Sequence, residues 1–182
     1  GQAGGQAVAE VLFGDYNPAG KLPLTFYRNL AQIPDFEDYN MTGRTYRYMK
    51  ETPLFPFGHG LSYTTFKYGK LKMNDDKIAA GQNLNLVIPV TNTGSRDGDE
   101  VVQVYLKKMD DTEGPVKTLR AFKRVRIPAG KTVEVKFSLN DTQLEWWDEQ
   151  SNTMRGCPGN YTVMIGGTSC EKSLLSRTFT IR

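Results

Sequence analysis

Thr132-Val133-Glu134-Val135-Lys136-Phe137-Ser138-Leu139 sets its apolar side chains at the odd positions and its polar ones at the even positions. Successive side chains of an extended chain point to opposite faces, so this period of two predicts a strand with one face in a core and the other in water. The pattern recurs upstream at Leu84, Leu86, Ile88 and Val90, and downstream at Tyr161, Val163 and Ile165 and at Arg177, Phe179 and Ile181. Turn-forming residues separate the runs, at Asn92-Thr93-Gly94, Pro128-Ala129-Gly130, Asn140-Asp141 and Pro158-Gly159-Asn160. About six to eight short strands with turns every 8–12 residues or so predict a two-layer antiparallel β-sandwich.

The fold class is therefore mainly β, an immunoglobulin or fibronectin type III-like sandwich expected over residues 67–182. The N-terminal third reads differently. Gln6 to Phe13 has high helix propensity and one apolar face, and Gly14 follows where a helix-terminating glycine belongs. Asp15 to Gly20 is turn chemistry, and Lys21 to Phe26 reads as a strand interrupted by Pro23, hence an edge or a strand end. One helix and one strand bury no core of their own. Residues 1–26 are thus expected to be the helix-strand remnant of an α/β domain. Residues 27–66, rich in aromatics, Pro and Gly with no clear period, are expected to be an ordered connector lying over another surface.

With 182 residues the chain is too short for a large multi-domain enzyme. Its 23 basic and 20 acidic side chains are scattered and leave a net charge of +3, so neither a nucleic acid nor a membrane partner is implied. No apolar run approaches the ~20 residues of a membrane span. Gly1 follows no initiator Met and no leader-like segment, which is the look of an excised piece. Cys157 and Cys170 flank opposite ends of a predicted strand, too far apart for a disulfide, and read as free thiols. Two cysteines and a single histidine make a poor ligand set, so no metal or cofactor is expected.

Asp35, Glu37 and Asp38, the pair Asp75-Asp76, the pair Asp110-Asp111 and the lone Asp15 read as turn and cap residues, not as a catalytic dyad or a calcium loop. His59, in Phe57-Gly58-His59-Gly60, is expected in a tight turn with its ring packed, with contact to a neighbouring domain as the alternative. Trp146 and Trp147 are the candidates for sugar contact, since exposed Trp rings stack on pyranose faces. Adjacent strand residues face opposite ways, so at least one of the two should be core. Arg44, Tyr46, Arg47, Tyr48, Phe55, Phe57, Tyr63 and Phe66 read as anchors that press the connector onto its neighbours. Lys107 to Pro115 reads as a surface loop between strands.

The order Gly-Gln-Ala-Gly-Gly-Gln-Ala-Val-Ala-Glu-Val-Leu-Phe-Gly-Asp-Tyr-Asn-Pro-Ala-Gly-Lys-Leu-Pro-Leu-Thr-Phe (1–26) closely resembles the last helix and strand of the α/β sandwich domain of glycoside hydrolase family 3 enzymes. Gly43-Arg44-Thr45-Tyr46-Arg47-Tyr48 and Leu54-Phe55-Pro56-Phe57-Gly58-His59-Gly60-Leu61-Ser62-Tyr63-Thr64-Thr65-Phe66 resemble that family's connector. Val90 to Gly94, Glu100 to Tyr105, Pro115 to Val125 and Pro158 to Val163 resemble its C-terminal fibronectin type III-like domain.

The resemblance implies a parent that hydrolyses terminal β-linked sugars with retention, using two carboxylates about 5–5.5 Å apart. Both would lie upstream of Gly1, and position 3, where many members carry Glu, is Ala, so the fragment is expected to be inactive. β-Xylosidase is favoured from the Asp35 to Tyr48 stretch, with β-glucosidase next and arabinofuranosidase as a side activity. Also implied are a bracing role against the missing barrel and α/β sandwich domains, an oligosaccharide substrate for the parent, and a secreted or periplasmic parent. In relatives the end of the sandwich bearing Lys107 to Pro115 can lie near the catalytic domains and shape substrate approach. Residues 1–66 are expected to pack on the sandwich or to self-associate. The alternative function is a stand-alone carbohydrate-binding or protein-interaction module.

Overall fold

The computed structural model describes residues 1–182. Helix α1 (Gly4–Phe13) opens the chain and ends at Gly14, whose φ of 81° lets its N–H return to the Val11 carbonyl. None of its residues is buried. The strand expected at Lys21 to Phe26 shrinks to one bridge, Phe26 to Phe55. Pro23 offers no donor, and the neighbour within reach is the connector: the Leu22 N–H donates to the His59 carbonyl and the Gly58 N–H to the Leu22 carbonyl.

The connector carries one 3-10 turn, Leu30–Gln32, and one short helix, α2 (Thr45–Tyr48). It enters α2 through Thr45 at φ 54°, a left-handed conformation that a β-branched residue rarely adopts.

Eleven strands follow: β1 (Phe66–Tyr68), β2 (Lys72–Met73), β3 (Lys77–Ile78), β4 (Leu84–Asn92), β5 (Gly98–Lys108), β6 (Thr118–Ile127), β7 (Thr132–Leu139), β8 (Trp146–Asp148), β9 (Thr153–Arg155), β10 (Gly159–Gly166) and β11 (Leu175–Ile181). In one sheet β4 pairs with β7 along one edge and with β1 and β2 in turn along the other. The second sheet runs β3-β11-β10-β5-β6 and is antiparallel except where β3 joins β11. β8 and β9 form a separate hairpin. Lys107 and Lys108 belong to β5, so the loop expected at 107–115 begins at Met109. The turn expected at Asn140-Asp141 caps a short helix, α3 (Asp141–Leu144), where Asn140 and Gln143 bond each other's backbone N–H in a capping box.

Leu84, Leu86, Ile88 and Val90 of β4 face Val135, Phe137 and Leu139 of β7, and both rows close on Val102, Val104 and Leu106 of β5 and Tyr161, Val163 and Ile165 of β10. Each such side chain contributes about 1.5–3 kcal/mol of burial. The period of two therefore meets its cause, a core shared by two sheets.

The opposite face of β5 is also covered. Gln103 and Tyr105 are buried there because the connector lies over them. β6 skips one residue against β5, pairing Ala121 with Val104 and Leu119 with Tyr105, so Arg120 is the extra residue of a β-bulge.

Candidate functional site: the connector seam and the apolar arm

Tyr46 is the centre of the seam between connector and sandwich. Its ring stacks on Phe57 at 4.3 Å and meets Tyr105 edge-on at 5.8 Å, and its hydroxyl accepts a 3.1 Å hydrogen bond from the Leu119 N–H. Beside it the Arg47 carbonyl accepts from the Val116 N–H, and the Arg47 guanidinium lies 5.6 Å from the Tyr48 ring centre. Phe57 is fixed by its carbonyl, which accepts from the Ser169 N–H and the Thr168 hydroxyl. Gly58 must be glycine: its φ is 79°, and a Cβ would come within 2.2 Å of the Gln103 amide oxygen.

The other anchors fix the connector to itself and to the first residues. Arg44 donates to the carbonyls of Asn40, Asp35 and Asp38, closing that loop. Phe55 meets Phe26 edge-on at 6.2 Å and stacks on His59 at 5.0 Å. His59 thus packs against an aromatic ring in a turn closed by its N–H on the Pro56 carbonyl. The Tyr63 hydroxyl donates to the Val11 carbonyl, with Arg96 over its ring, and Phe66 begins β1 opposite Asn92.

The two tryptophans separate. Trp146 is buried, with its indole N–H on Asp111 at 2.6 Å, Tyr161 edge-on and the Arg120 guanidinium over the ring at 5.5 Å. Trp147 points the other way, is 50% exposed, and has the exposed Met154 opposite on β9.

The acidic residues do local work. Asp35, Asp38 and Asp75 each accept from a backbone N–H two residues on. That hydrogen bond, first among its causes, holds Asp38 below the usual carboxylate range. Asp110 accepts from the Asn160 N–H, and Asp111 from the Gly114 N–H as well as from Trp146. The loop after β5 is thereby tied to β10 and to the tryptophan. No three His, Cys, Asp or Glu side chains gather as a metal site would require, and both cysteines are free.

Sequence reasoning missed the polar contacts across the seam. Glu100 is 4% exposed, with the Lys21 ammonium at 3.3 Å and the Tyr68 hydroxyl at 3.2 Å from one oxygen. Burial outweighs both partners and pushes its carboxyl above the usual range. Asn92, read only as a turn residue, is fully buried. Its amide donates to the Arg96 and Ile127 carbonyls, and its oxygen accepts from the Gly94 N–H and the Thr64 hydroxyl. The available signal was polarity within apolar runs, since Glu100 and Gln103 interrupt Glu100-Val101-Val102-Gln103-Val104-Tyr105.

What the arm leaves open is apolar. Of the twenty large hydrophobic side chains exposed on the molecule, fifteen lie within residues 1–63. They include Leu12 and Phe13 of α1 and Leu30, Phe36 and Tyr39 of the connector. Exposed apolar area on this scale marks a surface that meets another surface.

Fold and surface together define a fibronectin type III-like sandwich that carries an apolar N-terminal arm. Residues 1–63 match the Glycosyl hydrolase family 3 C-terminal domain and residues 100–169 the Fibronectin type III-like domain. The chain belongs to glycoside hydrolase family 3 and has the make-up of that family's C-terminal part. It is 51% identical over its whole length to 21% of a xylan 1,4-beta-xylosidase from Xylanibacter ruminicola. It is 38% identical over 94% of its length to 24% of a periplasmic beta-glucosidase from Salmonella typhimurium. Among solved structures, a β-glucosidase from Erythrobacter marinus superposes with a TM-score of 0.82 at 37% identity, over 98% of this chain and 24% of that one. The chain thus spans about a quarter of the length of such relatives.

Proposed function

We propose that this chain is the non-catalytic C-terminal part of a retaining β-glycosidase that removes terminal β-linked sugars from plant polysaccharide, β-D-xylose in preference to β-D-glucose. Residues 1–26 would end its α/β sandwich domain, 27–66 form the connector and 67–182 the bracing sandwich. The observation that carries the reading is the arm: a helix with no buried residue and most of the molecule's exposed large apolar side chains, in a chain a quarter the length of its glycosidase relatives. The preference for xylose rests on the 51% identity to a xylosidase. The partners that cover the arm would be the barrel and the rest of the α/β domain, which would also supply both catalytic carboxylates.

The test compares the product of the full reading frame with the 182-residue chain on aryl β-xyloside and β-glucoside. The full product should hydrolyse both, the xyloside faster, and the chain neither. Hydrolysis by the chain, or by neither protein, overturns the proposal. Replacing Leu12 and Phe13 together by Asp should leave the chain's unfolding temperature unchanged and lower that of the full product. A second reading, a carbohydrate-binding module, has one observation in its favour, the half-exposed Trp147. It requires retention on insoluble xylan that Trp147→Ala abolishes.

A further inference from the structure

A cleft of about 390 Å³ opens between the connector and the turn after β10, within the size range of small-molecule sites. Its walls carry four cations, Arg28, Lys50, Lys117 and Lys172, and two carboxylates. One carboxylate, Glu171, is spent on Lys117 at 3.2 Å, and the other, Glu51, accepts from the Gln32 amide. Arg28, Lys50 and Lys172 take part in no ion pair. The cleft therefore holds two positive charges in excess.

One lining residue also carries a buried polar atom without a partner. Four buried side-chain nitrogen and oxygen atoms in the whole molecule lack a hydrogen-bond partner, Thr25 Oγ1, Arg47 Nε, Thr118 Oγ1 and Arg120 Nε. Of these four residues, only Thr25 lines the cleft. A buried hydroxyl without a partner is destabilising unless something supplies one. The remaining walls, with Met49, Leu54 and Pro56, are apolar enough to lie against the C–H face of a ring.

We propose that this cleft binds one sugar ring bearing a carboxylate, a uronic acid unit, with the ring on the Leu54 and Pro56 side and the carboxylate among Lys50, Lys172 and Arg28. The anionic part of this rests on the geometry; the sugar part rests on the glycosidase reading above.

Calorimetric titration of the 182-residue chain with D-glucuronate, D-glucose and acetate tests it. Glucuronate should bind at least about tenfold tighter than either of the others, and its affinity should fall on going from about 20 mM to about 500 mM salt. Lys50→Ala with Lys172→Ala should weaken glucuronate about tenfold at an unchanged unfolding temperature, since both side chains are exposed and unpaired. No binding of glucuronate, equal binding of glucose or acetate, or double-variant affinity equal to the parent's each overturns the proposal. The readout is binding without turnover, so its failure leaves the glycosidase reading standing, and absent hydrolysis by the full product leaves the titration unaffected.

Discussion

Replacing Lys21 by Met should destabilise the chain strongly at neutral pH and weakly in acid. Lys21 reaches from the arm to Glu100, whose side chain is 6% exposed while the lysine side chain keeps 18%. Met preserves most of the stem, which lies against Gly60, and removes the charge. Removing one partner of a fully buried pair costs about 3–5 kcal/mol. The partial exposure of Lys21 and the remaining Tyr68 hydroxyl bond reduce this to about 2 kcal/mol, which lowers the unfolding temperature of a chain of this length by about 4–8 °C. Burial holds the folded-state pKa of Glu100 above its ordinary 4.5. An acid raised in the folded state keeps its proton there after the unfolded chain has lost it, so stability falls as pH rises from 4.5 through the folded value. Without Lys21 that value rises further and the fall is larger. The gap between parent and variant should therefore be wide at about pH 7 and nearly closed at about pH 4. Adding Glu100→Gln to Lys21→Met should recover most of the loss. Thermal unfolding followed by circular dichroism measures all three proteins; an equal gap at both pH values, or a double variant no better than the single one, refutes the reasoning.

Three further outcomes follow from contacts. Trp146→Ala should cost about 3–5 kcal/mol in urea unfolding and Trp147→Ala within about 0.5 kcal/mol, because only the former loses Tyr161, Arg120 and Asp111; equal losses would contradict the two-faced strand. Tyr46→Phe should cost about 1–2 kcal/mol by orphaning the Leu119 N–H, and Tyr46→Ala more, since the stack on Phe57 is lost too; a neutral Phe variant would mean that the hydroxyl bond contributes nothing. Asn92→Ala should cost about 2–4 kcal/mol, as it strands the Ile127 carbonyl and the Gly94 N–H at the end of β4, and a loss below about 1 kcal/mol would show that water replaces the amide.

The sandwich was legible because its cause is local. Val133, Val135, Phe137 and Leu139 alternate with charged and hydroxyl residues, and only a strand at a core boundary explains that order. The arm was half legible. Gln6 to Phe13 and Gly14 announced a helix, yet Lys21 to Phe26 has strand composition and pairs at one residue, because a strand also needs a neighbour and here that neighbour is the connector. At the seam, aromatic enrichment pointed to Tyr46, Phe55 and Phe57, but their partners Tyr105, Leu119 and His59 are set by the fold. Arg120 was invisible because its placement depends on a one-residue bulge that no composition announces.

The way the arm is attached bears on the bracing proposal. The first residues of the arm are tied to the sandwich by polar, directional contacts, Asn17 to the Asp97 carbonyl, Arg96 to the Gly14 carbonyl and Lys21 to Glu100, while Asn17 also holds Ser62 and the Tyr63 N–H within the arm. Hydrogen bonds of this kind fix orientation while adding only about 0.5–1.5 kcal/mol each. The exposed apolar side chains of α1 and the connector, Leu12, Phe13, Leu30, Phe36 and Tyr39 among them, take no part in these ties and remain outward. An element that needed the sandwich for its own stability would have turned Leu12 and Phe13 inward, since burying each is worth more than any one of those bonds. Turning them outward while the backbone is held by polar clamps is what a joint requires on the proposed reading. On that proposal the sandwich sets the angle of the arm and the adjoining domain would supply the burial.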